Sequence, residues 1–133
     1  MNKIEHIGIA VKNLEEAKKT FGTLLKSSCY KEEEVESESV ITSFFKTGES
    51  KIELLAATSP DSPIAKFIEK RGEGIHHIAF DVDDIKGEIK RLKKEGFDLI
   101  HEQPKKGADN KHIAFLHPRA GHGVLIELCQ EMS

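Results

Sequence analysis

Short runs in which apolar and polar residues alternate are followed by a longer run with apolar residues at helical spacing, and this order occurs twice along the chain. Alternation with a period of two predicts strands, and apolar residues recurring every three or four positions predict a helix. In the first half the pattern predicts strand 4–11, a helix after Asn13, and strands 28–36, 40–47 and 51–57. In the second half it predicts strand 75–82, helix 84–95, and strands 97–102, 111–117 and 123–130. Each half is therefore predicted to be a βαβββ module.

The segment between the halves has the features of a short helix. Ser62-Pro63 is a typical helix start, because proline is favoured at the first helical position, and Gly72 is a typical stop. A chain of 133 residues has the size of one domain. We therefore expect a single domain, 1–133, with module 1 at 1–57, a helical bridge at 58–73 and module 2 at 74–133.

The repeat extends to individual residues. The sequence HIGIAVKNLEEAKKTF at 6–21 matches HIAFDVDDIKGEIKRL at 77–92, and KIELL at 51–55 matches LIELC at 125–129. A histidine in the first strand of each half and a glutamate in a later strand therefore recur together. The two residues are 47 positions apart in the first half and 50 positions apart in the second. Such a pair at nearly equal spacing indicates a common role.

The two pairs have the side-chain types of a divalent-metal site. In the first strand of each half, the histidine shares its face with small residues, and bulky apolar residues occupy the other face. Ionised glutamates in apolar strands rarely lack a partner, and imidazole with carboxylate but no thiolate suits Co, Mn, Fe, Ni or Zn. The sequence therefore predicts one divalent ion held by His6, Glu53, His77 and Glu127.

Composition argues against several classes of partner. The chain has 20 Lys and Arg against 23 Asp and Glu, a net charge of −3, so nothing favours nucleic acid. No apolar run approaches the roughly 20 residues that cross a bilayer, and no signal peptide is recognisable. We expect a cytoplasmic protein without membrane contact, in which Cys29 and Cys129 are free thiols.

Four basic residues around a polar loop of the second half are candidates for contact with an anionic substrate group, and a solvated surface is the alternative. They are Lys105, Lys106, Lys111 and Arg119.

With these motifs the chain resembles the vicinal oxygen chelate (glyoxalase/bleomycin resistance) superfamily, and within it the methylmalonyl-CoA epimerases. The matching stretches are HIGIAV at 6–11, KIELL at 51–55, SPDSPIAKFIEKRGEGIHHIAFDVDDI at 59–85 and IAFLHPRAGHGVLIEL at 113–128. The resemblance implies an α+β fold in which two βαβββ modules form an incomplete barrel around a metal site. It also places the family's ligands on the four residues named above. Strand edges left by an open barrel predict a homodimer.

The resemblance further implies the reaction, which interconverts (2R)- and (2S)-methylmalonyl-CoA by α-proton abstraction through a metal-stabilised enolate. Epimerisation needs proton transfer on opposite faces of one carbon, and Glu127 is the implied carboxylate on one face. Some epimerases carry a glutamate on the third strand, where this chain has Thr42, which we count among the expected substrate contacts. Glu36 and Glu38 would fit only with a shifted register, and a held water is another alternative. The second acid/base is left open.

Two other functions of the superfamily also remain as alternatives. One is a glyoxalase I-type lyase acting on a glutathione hemithioacetal, and the other is a metal-free small-molecule-binding protein of the resistance type. Fold alone does not choose among them. The two His/Glu pairs argue against a metal-free protein, and the segment DSPIAKF with the His-His pair is typical of epimerases.

Overall fold

The computed structural model describes residues 1–132, which form three helices and eight strands. The helices are α1 (Leu14–Leu25), α2 (Pro63–Arg71) and α3 (Ile85–Lys94). The strands are β1 (Lys3–Ala10), β2 (Lys31–Val35), β3 (Val40–Thr47), β4 (Ser50–Ala57), β5 (Gly74–Asp81), β6 (Lys105–Lys106), β7 (Lys111–Leu116) and β8 (Ile126–Glu131). None of these helices combines the length and the apolar character that crossing a membrane requires.

The chain divides into two compact units. The first unit is residues 6–76, and the second is Met1–Glu5 with the residues from His77 onward. In the first unit the strand order is β2-β3-β4-β1, and in the second it is β5-β8-β7-β6. The pairs β1–β4 and β5–β8 are parallel, and the other pairs within each unit are antiparallel. The predicted α+β class and the two βαβββ modules are confirmed.

Helices cover both faces of the sheet in the first unit. Asn13 caps α1 by accepting a hydrogen bond from the Glu16 backbone N–H at 3.0 Å, and Ser62 caps α2 in the same way. Apolar residues of α1 pack with Phe45 and Leu54 on one face. On the other face, α2 covers one end of the sheet, where it packs against the core residues Ala10, Val40 and Leu55. The rest of this second face carries the polar residues described below.

In the second unit α3 packs against β7 and β8 through a single apolar cluster. Its buried members are Val82, Ile85, Ile89, Leu92, Ala114, Leu116 and Leu128. The hairpin loop between β6 and β7 lies close to the opposite face, since a Cβ added to Gly107 would stand 2.8 Å from Ile113 Cγ2. Glycine at this position therefore permits the close approach.

The strand predicted at 97–102 is wrong. In this segment Leu99 forms one isolated bridge with Leu116, and the N–H groups of Ile100 and His101 both donate to the Phe115 carbonyl oxygen, at 2.8 and 3.3 Å. Two successive donors on one acceptor do not continue a strand ladder. The strand that pairs with β7 is instead Lys105–Lys106, inside the stretch predicted to be a loop.

Candidate metal and active site

The first unit holds one of the predicted His/Glu pairs. Strands β1 and β4 run parallel, with Gly8 opposite Glu53, and His6 precedes Gly8 by two residues on the same side of the strand. The His6 Nε2 atom lies 3.3 Å from Glu53 Oε1, and each residue is 5% exposed. We call the sheet face that carries this pair the ligand face of the first unit.

The second unit repeats this arrangement. Strands β5 and β8 are parallel, with Ala79 opposite Glu127, and His77 precedes Ala79 by two residues. The His77 Nε2 atom lies 3.1 Å from Glu127 Oε1, and the two residues are 3% and 4% exposed. We call this sheet face the ligand face of the second unit. The small residue opposite each glutamate leaves space beside the carboxylate, as the sequence pattern predicts.

Each pair has the donor types and the separation of neighbouring ligands on a divalent ion. Two ligand atoms at about 2.1 Å from one ion and about 90° apart are about 3.0 Å from each other. The observed separations of 3.3 and 3.1 Å are close to that value. The imidazole and the carboxylate of each pair are also buried, and buried charged groups are normally paired or coordinate a metal. The residues present therefore fit a divalent metal.

An aromatic residue on the neighbouring antiparallel strand lies opposite each glutamate. The sequence pattern did not predict these two residues as part of the site. Phe44 on β3 is opposite Glu53, and Phe115 on β7 is opposite Glu127. The Phe115 ring meets the His77 ring edge-on, with centroids 5.8 Å apart and planes at 87°. The Phe115 backbone N–H also donates to His101 Nδ1 at 3.1 Å. The phenyl ring therefore restricts the orientation of the His77 imidazole.

Cys129, two residues after Glu127 on β8, is a buried free thiol. Cys129 is 0% exposed, and its Sγ donates to the Phe80 carbonyl oxygen at 3.5 Å. Burial, together with the negative charges of Glu127 and Glu5, raises the pKa of the Cys129 thiol. A protonated thiol is a poor metal ligand, so Cys129 adds packing rather than a charge.

The histidine next to His77 has a packing role. His76 is half-buried and meets the Phe67 ring of α2 edge-on, with ring centroids 4.9 Å apart. His122 is exposed and follows the 3-10 turn Pro118–Gly121.

The four basic residues of the predicted substrate contact differ in their surroundings. Lys105 is half-buried on β6 and lies opposite Ile113, so it shares the ligand face of the second unit, whereas Lys106 is exposed. Arg119 is exposed, and its Nε donates to Asp98 Oδ2 at 2.8 Å, which holds the pKa of the Asp98 carboxyl below its usual value. Substrate contact by the four residues stays a prediction.

Lys111 is the buried member of this group. Its Nζ lies 3.9 Å from Glu5 Oε2, with the two side chains 6% and 3% exposed. Replacing Lys111 with methionine is expected to lower the free energy of unfolding by roughly 3 kcal/mol, because it removes the ammonium beside a buried carboxylate. Denaturant unfolding measures this loss. Lys106→Met, on the exposed side of the same hairpin, should change stability by less than about 0.5 kcal/mol. Equal losses in the two variants would contradict a stabilising ion pair.

Thr42 lies on the ligand face of the first unit, two residues before Phe44 on β3. It is 1% exposed, and its Oγ1 donates to the Glu33 carbonyl oxygen at 3.3 Å. Glu36 and Glu38 lie outside the strands, in the 3-10 turn that follows β2.

Comparison with known proteins places the chain in a family. A profile of the Glyoxalase/Bleomycin resistance protein/Dioxygenase superfamily matches residues 5–115, and the chain belongs to this superfamily. It is 39% identical to the uncharacterized protein YqjC of Bacillus subtilis over 130 residues, which are 98% of this chain and 93% of YqjC. It is 36% identical to the ethylmalonyl-CoA/methylmalonyl-CoA epimerase of Cereibacter sphaeroides over 132 residues, 98% of each chain.

A solved structure shows the same likeness at the level of the fold. It is a variant of the methylmalonyl-CoA epimerase of Streptomyces coelicolor in complex with 2-nitronate-propionyl-CoA. The TM-score is 0.93 at 30% identity, covering 100% of this chain and 96% of that one. The predicted resemblance to the epimerase branch of the superfamily is confirmed.

Proposed function

We propose that the protein is a metal-dependent epimerase that interconverts (2R)- and (2S)-methylmalonyl-CoA. The observation that carries the proposal is the buried His/Glu pair that each unit builds in the same register between parallel strands. The named relatives support the substrate, since one is an ethylmalonyl-CoA/methylmalonyl-CoA epimerase and another is a methylmalonyl-CoA epimerase in complex with 2-nitronate-propionyl-CoA.

We further propose that the two pairs together bind one divalent ion, which is Co, Mn, Ni, Fe or Zn. The ligand set is His6, Glu53, His77 and Glu127. When bound, a divalent cation supplies Lewis-acid stabilisation for negative charge that develops on the thioester oxygen. The protein's part is to keep the two imidazoles and two carboxylates buried and oriented, so that little reorganisation is needed during the reaction.

Glu127 is proposed to move the α-proton on one face of the substrate. It is 4% exposed, and its Oε1 lies 3.1 Å from His77 Nε2. The α-carbon lies between a thioester carbonyl and a carboxylate, so a carboxylate base in a water-poor site is a suitable proton acceptor.

The anionic part of the substrate is proposed to meet basic residues of the second unit. Lys105 is the leading candidate, because it is half-buried on the ligand face that also carries Glu127. Thr42, Lys106, Lys111 and Arg119 complete the proposed contact set.

A single assay tests the proposed function. The protein, loaded with Co²⁺, is incubated with one epimer of methylmalonyl-CoA, and formation of the other epimer is followed with and without a chelator. We expect conversion that the chelator stops and that added metal restores. Failure to convert either epimer would contradict the proposal. Turnover of the methylglyoxal–glutathione hemithioacetal instead would favour a glyoxalase-type lyase, and ligand binding without turnover would favour a resistance-type binding protein.

Three broader expectations belong to the same proposal. We propose that the chain acts as one domain, as a homodimer and in the cytoplasm. The strands β2 and β6 are edge strands, and edge strands are common places for two copies of a chain to associate. Light scattering of the purified protein checks the dimer.

A further inference from the structure

The proposed epimerisation needs a second proton-transfer group besides Glu127, because the proton leaves one face of the α-carbon and returns to the other. Among the strand residues of the first unit, two carboxylates lie on its ligand face, Glu53 and Glu33. Glu53 belongs to the proposed metal site. We propose that Glu33 is the second acid/base, an assignment that rests on the proposed epimerase function.

The strand register places Glu33 on this face. Glu33 is directly opposite Thr42, which is opposite Leu55, and Leu55 is two residues from Glu53 on β4. Directly opposite residues in antiparallel strands point to the same side of a sheet. Strand and residue spacings then put the Cα atoms of Glu33 and Glu53 about 12 Å apart. Glu33 therefore shares the ligand face with the proposed metal ligand Glu53 and is separated from it by two strand spacings.

The surroundings of Glu33 suit a carboxylate that exchanges protons with a bound ligand. The side chain is 34% exposed, and Lys31 Nζ on the same face lies 3.6 Å from Glu33 Oε1. By register Glu33 is level with Leu55, on which α2 packs, and the Glu53 row lies two residues along the strands from it. It is thus at the border of the polar part of the ligand face.

The neighbouring glutamates of β2 point to the other face. Glu32 Oε2 accepts hydrogen bonds from Lys18 Nζ at 2.7 Å and Ser43 Oγ at 2.9 Å, and these hydrogen bonds hold the pKa of the Glu32 carboxyl below its usual value. Glu34 is exposed and lies opposite Ile41, whose side chain packs in the α1 cluster. Neither can replace Glu33 without a change of register.

On β3, Thr42 occupies the position at which some epimerases carry a glutamate, but its side chain has a hydroxyl instead of a carboxylate. That hydroxyl donates to the Glu33 carbonyl oxygen, so it ties β2 to β3 at this register. Glu33, directly opposite Thr42 on β2, is the carboxylate beside this position.

The same position differs between the two units. In the second unit, the residue that corresponds to Glu33 by register is Lys105, since Lys105 is opposite Ile113 and Ile113 is two residues before Phe115. The units therefore repeat the metal ligands but carry a carboxylate at this position in one and an ammonium in the other.

The proposed step involves only proton transfer. The Glu33 carboxylate takes the α-proton of one epimer, and the electron pair of the broken C–H bond becomes the enolate. The carboxylic acid of Glu127 then gives its proton to the opposite face of the carbon. The reverse direction exchanges the two roles, and each carboxyl regains its starting state by exchange with water.

The test is Glu33→Gln, studied with each pure epimer in D2O. Conversion between epimers should fall at least about 100-fold, the scale of a lost acid/base group. Deuterium should still enter the α-position of one epimer without conversion, because Glu127 keeps exchanging the proton on its own face. Glu34→Gln, one residue along the strand on the other face, should convert and exchange like the unchanged protein.

Two outcomes would overturn the assignment of Glu33. One is conversion within about threefold of the unchanged protein, and the other is equal loss of exchange from both epimers in a variant with unchanged thermal melting. If Glu33→Gln fails to fold, Glu33→Asp replaces it in this test. The shorter carboxylate should slow conversion between the epimers more than it slows deuterium exchange of the epimer whose α-proton faces Glu127. An unchanged protein that neither converts nor exchanges would instead refute the proposed function.

Discussion

Glu127→Gln is expected to lower epimerase turnover by about 1000-fold while metal binding persists. The glutamine keeps the size of the side chain and an oxygen that can ligate the ion, and the other three proposed ligands are unchanged. It cannot, however, take up and return the α-proton, and loss of an acid/base group typically costs 100-fold to 10,000-fold. Turnover with methylmalonyl-CoA and metal content after dialysis are the two measurements.

Glu131→Gln is the matched control for this variant. Glu131 lies four residues further along β8 and is exposed at the end of the strand. Its replacement should leave turnover within about twofold, the range of a surface substitution. Near-normal turnover in Glu127→Gln would show that another group moves the proton, and parallel losses of metal and turnover would assign Glu127 to metal binding alone.

The second large effect is expected from the His-His pair. His77→Ala should weaken metal affinity by more than about 100-fold, since even loss of a partner behind a ligand typically costs 10-fold to 100-fold. His76→Ala should leave metal affinity unchanged, because His76 faces away and contacts Phe67. The His76→Ala variant loses the ring contact, which should lower the free energy of unfolding by about 1 kcal/mol. Metal affinity is measured by competition with a chromophoric chelator, and stability by thermal melting.

The comparison of neighbours is informative because the two variants remove the same side chain one residue apart. If both variants lose metal equally, the strand phase that separates them is wrong. If neither loses metal, the His77–Glu127 contact of 3.1 Å is a hydrogen bond without a metal role.

Much of the fold could be predicted from sequence because two periodic signals agreed. The apolar alternation of β1 and β5 and the helical spacing of α1 and α3 occur in the same order in both halves. The repeated His/Glu pairs fixed the phase of the strands that hold them, since a shift by one residue would exchange the two faces. The structure accordingly pairs His6 with Glu53 and His77 with Glu127.

The features that could not be predicted lack a clear periodic pattern of apolar and polar residues. The strand β2 reads KEEEV, with charged residues on both faces, so its register against β3 and the place of Glu33 opposite Thr42 could not be inferred. The segment after α3 has strand-like apolar residues, but its backbone donors converge on one carbonyl oxygen. The contact between Lys111 and Glu5 joins residues that are distant in sequence, and charge alone does not reveal it.

The measurement that tests the central claim most directly is the number of ions bound per chain. Metal-free protein is titrated with Co²⁺ in equilibrium dialysis, and the same is done with His6→Ala and His77→Ala. If the two pairs form one site, the unchanged protein binds one ion per chain, and both variants lose that ion although their substitutions lie in different halves. Two ions per chain, or an ion that survives either substitution at full affinity, would contradict a single site made by both pairs.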